Sequence, residues 1–308
     1  MSRRTGLLFL AAVCVFWISG TALAESKRIL IVASYEKNHI CGWPQEQGVI
    51  KGLAKEGWFE GLNLEVKRFY MDTKRTNTTL KAMKKAASKV LKAMDAYRPQ
   101  LLVTLDDNAF REVGLKMANH PDINVVFSGM NGQPEKYNKV TPYMKNREHP
   151  GGNITGVYEK LYVARSIRVM ESAVRGLKGG VIVGITDYSP TGNAIYPVAL
   201  TLKVSEDLTY TAPEIFKWTV ENSKKPEMAL NYFFAKIGLF GGAAVDFQKM
   251  GFMAGKKAGK ILNGEKAGSL PVEDAPDYAI VFNIKRAAQL GIDIPDPLLT
   301  AADHVYNE

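Results

Sequence analysis

The chain has 308 residues, 46% of them apolar and 23% charged, which supports a packed core and argues against disorder. Past the first two dozen residues no apolar run approaches the roughly 20 residues that span a bilayer. The formal net charge is +9, but its densest segment carries no interleaved aromatic residues, which argues against a nucleic-acid surface.

The chain opens on an export pattern. Arg3 and Arg4 precede an apolar stretch over residues 6–18, and Ala22, Leu23 and Ala24 form a small-x-small cleavage signal. The stretch is short for a membrane anchor. Cys14 follows Val13, where a lipidation motif wants a small residue. The expectation is cleavage after Ala24 and a soluble protein outside the cytoplasm, in the periplasm. Loss of Arg3 and Arg4 lowers the charge from +9 to +7, and of the two cysteines only Cys41 remains. An internal disulfide is then excluded.

A strand-helix alternation follows. Residues 28–34 form a continuous apolar run with β-branched side chains, as in a strand covered on both faces. A helix is predicted over 44–57, a strand over 62–70 and a long helix over 78–97 that Pro99 ends. Lys81, Lys84, Lys85, Lys89 and Lys92 fall on that helix with Met83, Ala86, Ala87, Val90 and Met94 between them, the pattern of a solvated basic face. Strands are predicted over 101–105 and 123–127, separated by a helix over 108–119. The series implies a parallel, doubly wound sheet.

A second series starts near the turn at His149, Pro150, Gly151 and Gly152. Strands are predicted over 153–158, 180–185, 195–200, 229–234, 241–245 and 279–283. Helices are predicted over 162–175, 213–223 and 247–263. One place does not fit. Only residues 186–194 separate two strand-like runs, too few for the dozen or more that a parallel crossover needs. The second unit is expected to be shortened there.

In an open parallel sheet, ligands bind beyond the carboxyl ends of the strands. Those ends carry Ser34 and Tyr35, then a loop to Trp43; Asp106, Asp107 and Asn108; Ser128 and Asn131; Tyr158 and Glu159; residues 186–191; and Asp246. Hydroxyls, amides, carboxylates and rings suit a small polar ligand. Each also has a plainer reading. Asp107 and Asn108 fit a helix cap, Asn131 before Gly132 fits a turn, and Trp43 fits a staple between helix and sheet. Asp106 and Asp107 lack a third ligand at metal-site spacing. There is no G-x-S-x-G, H-E-x-x-H or phosphate-binding loop, and no glycine fingerprint after the first strand. His39, His120, His149 and His304 pair with no nucleophile in sequence, and neither Cys41 nor Ser34 has a base nearby. No enzyme, metal or cofactor is implied.

Taken together, residues 29–35 with Trp43, residues 105–109, 125–131, 151–156 and 254–266, and the end from Asn283 to Asp303 resemble the periplasmic substrate-binding proteins of ABC transporters. Their order and spacing cover nearly the whole chain after the signal. The resemblance implies the type I periplasmic-binding fold, an α/β architecture of two doubly wound parallel-sheet lobes with ligand between them. It implies a first lobe over 27–152 plus 246–275 and a second over 153–245 plus 276–308. Some members take aromatic amino acids. By position, Ser34, Tyr35, Trp43, Asp106, Asn108 and Asn131 would face the ligand from the first lobe, and Tyr158, Thr186, Ser189 and Asp246 from the second. Family members have a further helix and strand between positions matching Asn193 and Ile195, which here abut.

The expected function is delivery of a small polar ligand to an ABC permease by a monomer that needs no nucleic acid. In the expected pose an aromatic amino acid stacks on Tyr35 or Trp43. Its ammonium meets Asp106 or Asp107, and its carboxylate a helix start. The alternative is a sensory module that reports to a membrane receptor or kinase. A hydrolase using Cys41 or Ser34 is weaker.

Overall fold

The computed structural model describes residues 26–176, 201–203, 209–275 and 278–308. The expected signal, the strands at 180–185 and 195–200, the junction at 193–195, Thr186 and Ser189 lie outside these residues.

The larger sheet is built from β1 (Lys27–Ala33), β2 (Leu64–Tyr70), β3 (Leu101–Leu105), β4 (Asn124–Met130) and β5 (Ile154–Tyr158). A two-residue strand, β9 (Glu273–Asp274), pairs beyond β5, and the order is 2-1-3-4-5-9. All of these pairings are parallel. Alternate residues of β1 explain the layering. Ile29, Ile31 and Ala33 pack on one side with helices α1 (Gly42–Lys55) and α8 (Phe247–Leu262). Leu30 and Val32 pack on the other with α2 (Leu80–Tyr97) and α3 (Asp107–Glu112). A fully buried Leu or Ile contributes on the order of 2 kcal/mol, so the apolar runs read in the sequence account for this core.

β5 pairs with β4, so 154–158 belongs to the larger sheet, although the expected boundary placed it in the second lobe. The chain leaves that sheet after β5 for α5 (Val163–Ala173), and a hairpin of β6 (Thr201–Lys203) and β7 (Thr209–Thr211) precedes α6 (Ala212–Asn222). The smaller sheet joins β8 (Gly241–Ala244), β10 (Ala279–Asn283) and β11 (His304–Tyr306) in the order 11-10-8. There β10 runs parallel to β11 but antiparallel to β8. The expected strand over 229–234 is instead a pair of bridges followed by helix α7 (Tyr232–Lys236), because the Asn231 side chain accepts from Phe233 N–H and caps a helix. The helix expected over 108–119 stops at Glu112 and gives way to a 3-10 turn over Gly114–Met117. A further helix, α4 (Pro134–Val140), begins on a proline that the turn-rich reading of this stretch passed over.

Helix α8 carries the chain from the smaller sheet back to the larger one. α8 follows β8 of the smaller sheet yet lies on the larger one, against α1. A Cβ added at Gly251 or Gly255 would stand 2.1 or 2.2 Å from the carbonyl oxygens of Gln45 and Val49. The helix backbones approach this closely only because glycine has no side chain.

Candidate functional site

The strand order reverses between β1 and β3, and open parallel sheets take ligands at such a reversal, past the strands' carboxyl ends. Ser34 directly follows β1 at that end of the sheet and is buried. Its hydroxyl donates to the Leu105 carbonyl at 2.9 Å and accepts from Ala109 N–H at 2.8 Å. Ser34 therefore pins the start of α3 to two strand ends, and its oxygen is committed to the fold.

Asp106 follows β3 and holds φ 64° and ψ 175°, a conformation that belongs to glycine. Strain of this kind, on the order of 1–3 kcal/mol, gathers at functional sites. The side chain is buried. Oδ1 accepts from Gln45 Nε2 at 2.8 Å, while Oδ2, equally buried, has no hydrogen-bond partner among the described residues. Burial pushes the Asp106 carboxyl up to about 7; the Gln45 hydrogen bond and Lys74 oppose the shift, and Asp107 adds to it.

Glu159, directly after β5, supplies a second buried acid, held by a 2.9 Å hydrogen bond from Asn131 Nδ2 to Oε2. Its carboxyl is raised by burial first and then by the charges of Asp106 and Asp107. The Tyr35 hydroxyl and the Cys41 thiol are also raised, each by burial and then by Asp106. Tyr35 is buried against His39, with ring centroids 4.2 Å apart. Asp106, Glu159, Tyr35 and Cys41 thus form one buried, electrostatically linked group of acidic character. An arriving positive charge is favoured there, in a medium that screens it weakly.

The remaining expected residues divide. Asp107 accepts from Tyr137 Oη at 2.6 Å and Gly132 N–H at 3.2 Å and pairs with Arg111 at 3.0 Å, so both its oxygens are engaged. Asn108 donates to Thr73 and accepts from Arg111. Ser128 donates to Gln45 Oε1 at 2.9 Å. Tyr158 accepts from Gln133 Nε2 at 2.9 Å, with Arg147 over its ring. Trp43 is 41% exposed at the start of α1, so it is not a staple to the sheet. Asp246 caps α8 by accepting from Lys249 N–H at 2.9 Å. The starts of α3 and α8 thereby hold acceptors of the fold's own, Ser34 and Asp246. Of the two candidate acids for a ligand ammonium, Asp106 has a free oxygen and Asp107 does not.

Residues 201–306 match the family described as ABC transporter substrate binding protein. The fold is shared with a conserved domain protein from Vibrio cholerae (TM-score 0.67, 18% identical, 91% of this chain, 100% of that one). It is shared equally with the ABC domain in complex with L-Trp from Streptococcus pneumonia (TM-score 0.67, 18% identical, 91% and 100%). Over residues 201–306 the chain is similar to the ABC transporter substrate-binding proteins. The ligand-free, open structure of a substrate binding protein with adhesive properties from Clostridium difficile gives a TM-score of 0.63 at 17% identity, over 92% of this chain and 100% of that one. A "Tyrosine-binding protein" from Clostridioides difficile (strain R20291) is 21% identical over 173 residues, 46% of this chain and 50% of the relative. The chain spans about half the length of that curated relative.

Sequence reasoning missed three residues of this arrangement. Gln45 lies inside α1, where glutamine ordinarily marks a solvent face; only the structure shows it buried between Asp106 and Ser128. Glu159 stood at a strand end, the signal that selected the others, and was not carried into the site. Tyr232 packs with the cores of both sheets and stacks on His304 at 5.0 Å. Among the described residues no group of three or more His, Cys, Asp or Glu is placed to hold a metal, and no helix is long and apolar enough to cross a membrane.

Proposed function

We propose that the protein is an exported solute-binding protein that takes an aromatic amino acid into the crevice beside Asp106 and delivers it to an ABC permease. The observation that carries this reading is the buried, unpartnered Oδ2 of Asp106 at the switch point of a binding-protein fold. A buried acceptor without a donor costs about 1–3 kcal/mol, more when charged. A ligand ammonium supplies the donor and the charge together. The exposed ring of Trp43, at the start of the helix that also holds Gln45, offers a stacking surface for an aromatic side chain. Relatives described as binding L-Trp or tyrosine support this ligand class. The proposal includes cleavage after Ala24, action in the periplasm as a monomer, and two lobes that close by a hinge about the crossings at 159–163, 245–247 and 271–275.

Calorimetric titration of residues 25–308 with L-tryptophan and L-tyrosine tests the reading. Binding that falls sharply in Asp106→Asn supports it. Equal binding by wild type and Asp106→Asn removes the carboxylate from the account.

A further inference from the structure

Gln45 is wholly buried although it lies on a helix whose outer face is polar. Its amide is held at both ends. Oε1 accepts from Ser128 Oγ at 2.9 Å and Nε2 donates to Asp106 Oδ1 at 2.8 Å. A serine hydroxyl above and a carboxylate below allow one orientation of the amide. The surroundings admit no shift. A Cβ at Gly129, which has φ 75°, would stand 2.6 Å from Gln45 Oε1, and one at Gly251 would stand 2.1 Å from the Gln45 carbonyl oxygen. Both glycines are therefore required for Gln45 to sit where it does.

We infer that Gln45 is a positioning residue for ligand recognition: by occupying Asp106 Oδ1 it turns the carboxyl so that Oδ2 alone is offered to a cationic group of the ligand. The inference rests on the reading that Asp106 receives the ligand's amine. Three features support it. Oδ2 is the oxygen left unpartnered. A Cβ built at Gly42 would stand 3.8 Å from Oδ2, so Gly42, at the start of α1, keeps its own side of that oxygen free of a side chain. The Asp106 backbone conformation is held against its own preference, which keeps the carboxyl at one angle. The charged and titratable groups that act on the carboxyl and its surroundings are Asp107, Lys74, Glu159, Tyr35 and Cys41. Gln45 is the hydrogen-bond donor among the groups that lower the Asp106 titration.

The consequence is selectivity for ligands that carry an amine. Gln45→Leu removes both hydrogen bonds, and Gln45→Glu keeps the shape but removes the donor. The probes are L-tryptophan, L-tyrosine and indole-3-propionate, which is tryptophan without its amine. In either variant the affinity for the two amino acids falls by about tenfold or more, as expected for loss of alignment in a charged hydrogen bond, while that for indole-3-propionate changes less than about twofold. Equal losses for all three probes would make Gln45 a structural residue only and overturn the inference, as would no loss for any. A second measurement needs no ligand. The Asp106 carboxyl, followed by carbon NMR, titrates near 7 in the wild type and at higher pH in both variants; an unmoved midpoint in a cooperatively folding variant overturns the inference. If wild type binds neither amino acid, the ligand reading fails while the titration still decides the role of Gln45.

Discussion

Asn231 donates its side-chain N–H to Cys41 Sγ over 3.3 Å. Both residues are buried. The bond ties the residue before α1, on the larger sheet, to the segment before α7, beside the smaller one. Asn231 also accepts from Phe233 N–H at 3.0 Å and bridges to Val245. One side chain thus closes a helix and fastens the two halves together.

Asn231→Ala removes a cap and a cross-sheet contact at once. Each contributes on the order of 1 kcal/mol, so the variant should lose about 1–2 kcal/mol in chemical unfolding. Cys41 should resist alkylation in the folded protein, because it is 1% exposed and its thiol is raised by burial. Mass spectrometry after iodoacetamide, with and without denaturant, checks this. Modification of the native protein at the rate seen in denaturant would contradict the packing described.

Stability should depend on pH through Asp106. Its carboxyl rises from 3.8 to about 7 on folding. Between those values the unfolded chain holds fewer protons than the folded one, so stability falls as pH rises through that window and levels off above it. Glu159 is raised and acts in the same direction. Asp106→Asn should match wild type near pH 4 and melt higher at pH 8 in the absence of ligand. Scanning calorimetry at the two pH values tests the sign, and a variant that melts lower at pH 8 refutes it.

Trp43→Ala should separate binding from folding. The ring is 41% exposed, so truncation should change unfolding free energy by less than about 1 kcal/mol. Loss of a stacked ligand should weaken binding of an aromatic amino acid by roughly three- to tenfold. Fluorescence or calorimetric titration measures the second, and an unchanged affinity would remove Trp43 from the site.

Gly251→Ala should be far more costly than an ordinary helix substitution. Glycine to alanine in a helix interior normally stabilises by about 1 kcal/mol. Here the added carbon stands 2.1 Å from the Gln45 carbonyl oxygen, so α1 and α8 must part and the Gln45 amide must move with them. The expected result is a loss of stability together with weaker ligand binding, read by thermal unfolding with and without L-tryptophan.

The larger sheet was legible because its inner strands β1, β3 and β4 are apolar on both faces, its edge strand β2 alternates, and its helices are amphipathic. The two periodicities alternate cleanly from Arg28 to Phe127. The smaller sheet was less so. Residues 229–234 carry three adjacent aromatics, Tyr232, Phe233 and Phe234, which suggest a strand until the cap at Asn231 decides for a helix. The antiparallel entry of β8 beside β10 depends on pairing across more than thirty residues, which no local pattern encodes. Within the site, the strand-end rule found Asp106, the acid that keeps a free oxygen. It could not separate Asp106 from Asp107, since only the fold brings Tyr137, Gly132 and Arg111 to Asp107. Gln45 was beyond reach because its burial arises from α8, two hundred residues later in the chain, closing over α1.

The most direct test is thermal unfolding of residues 25–308, wild type and Asp106→Asn, with and without L-tryptophan or L-tyrosine in large excess. A ligand at one hundred times its dissociation constant stabilises the folded state by about 2.7 kcal/mol, which raises the melting point by several degrees in a chain of this size. The account predicts that rise in wild type and its loss in Asp106→Asn. A rise of equal size in both proteins, or in neither, would contradict the claim that the Asp106 carboxylate receives the amine of an aromatic amino acid.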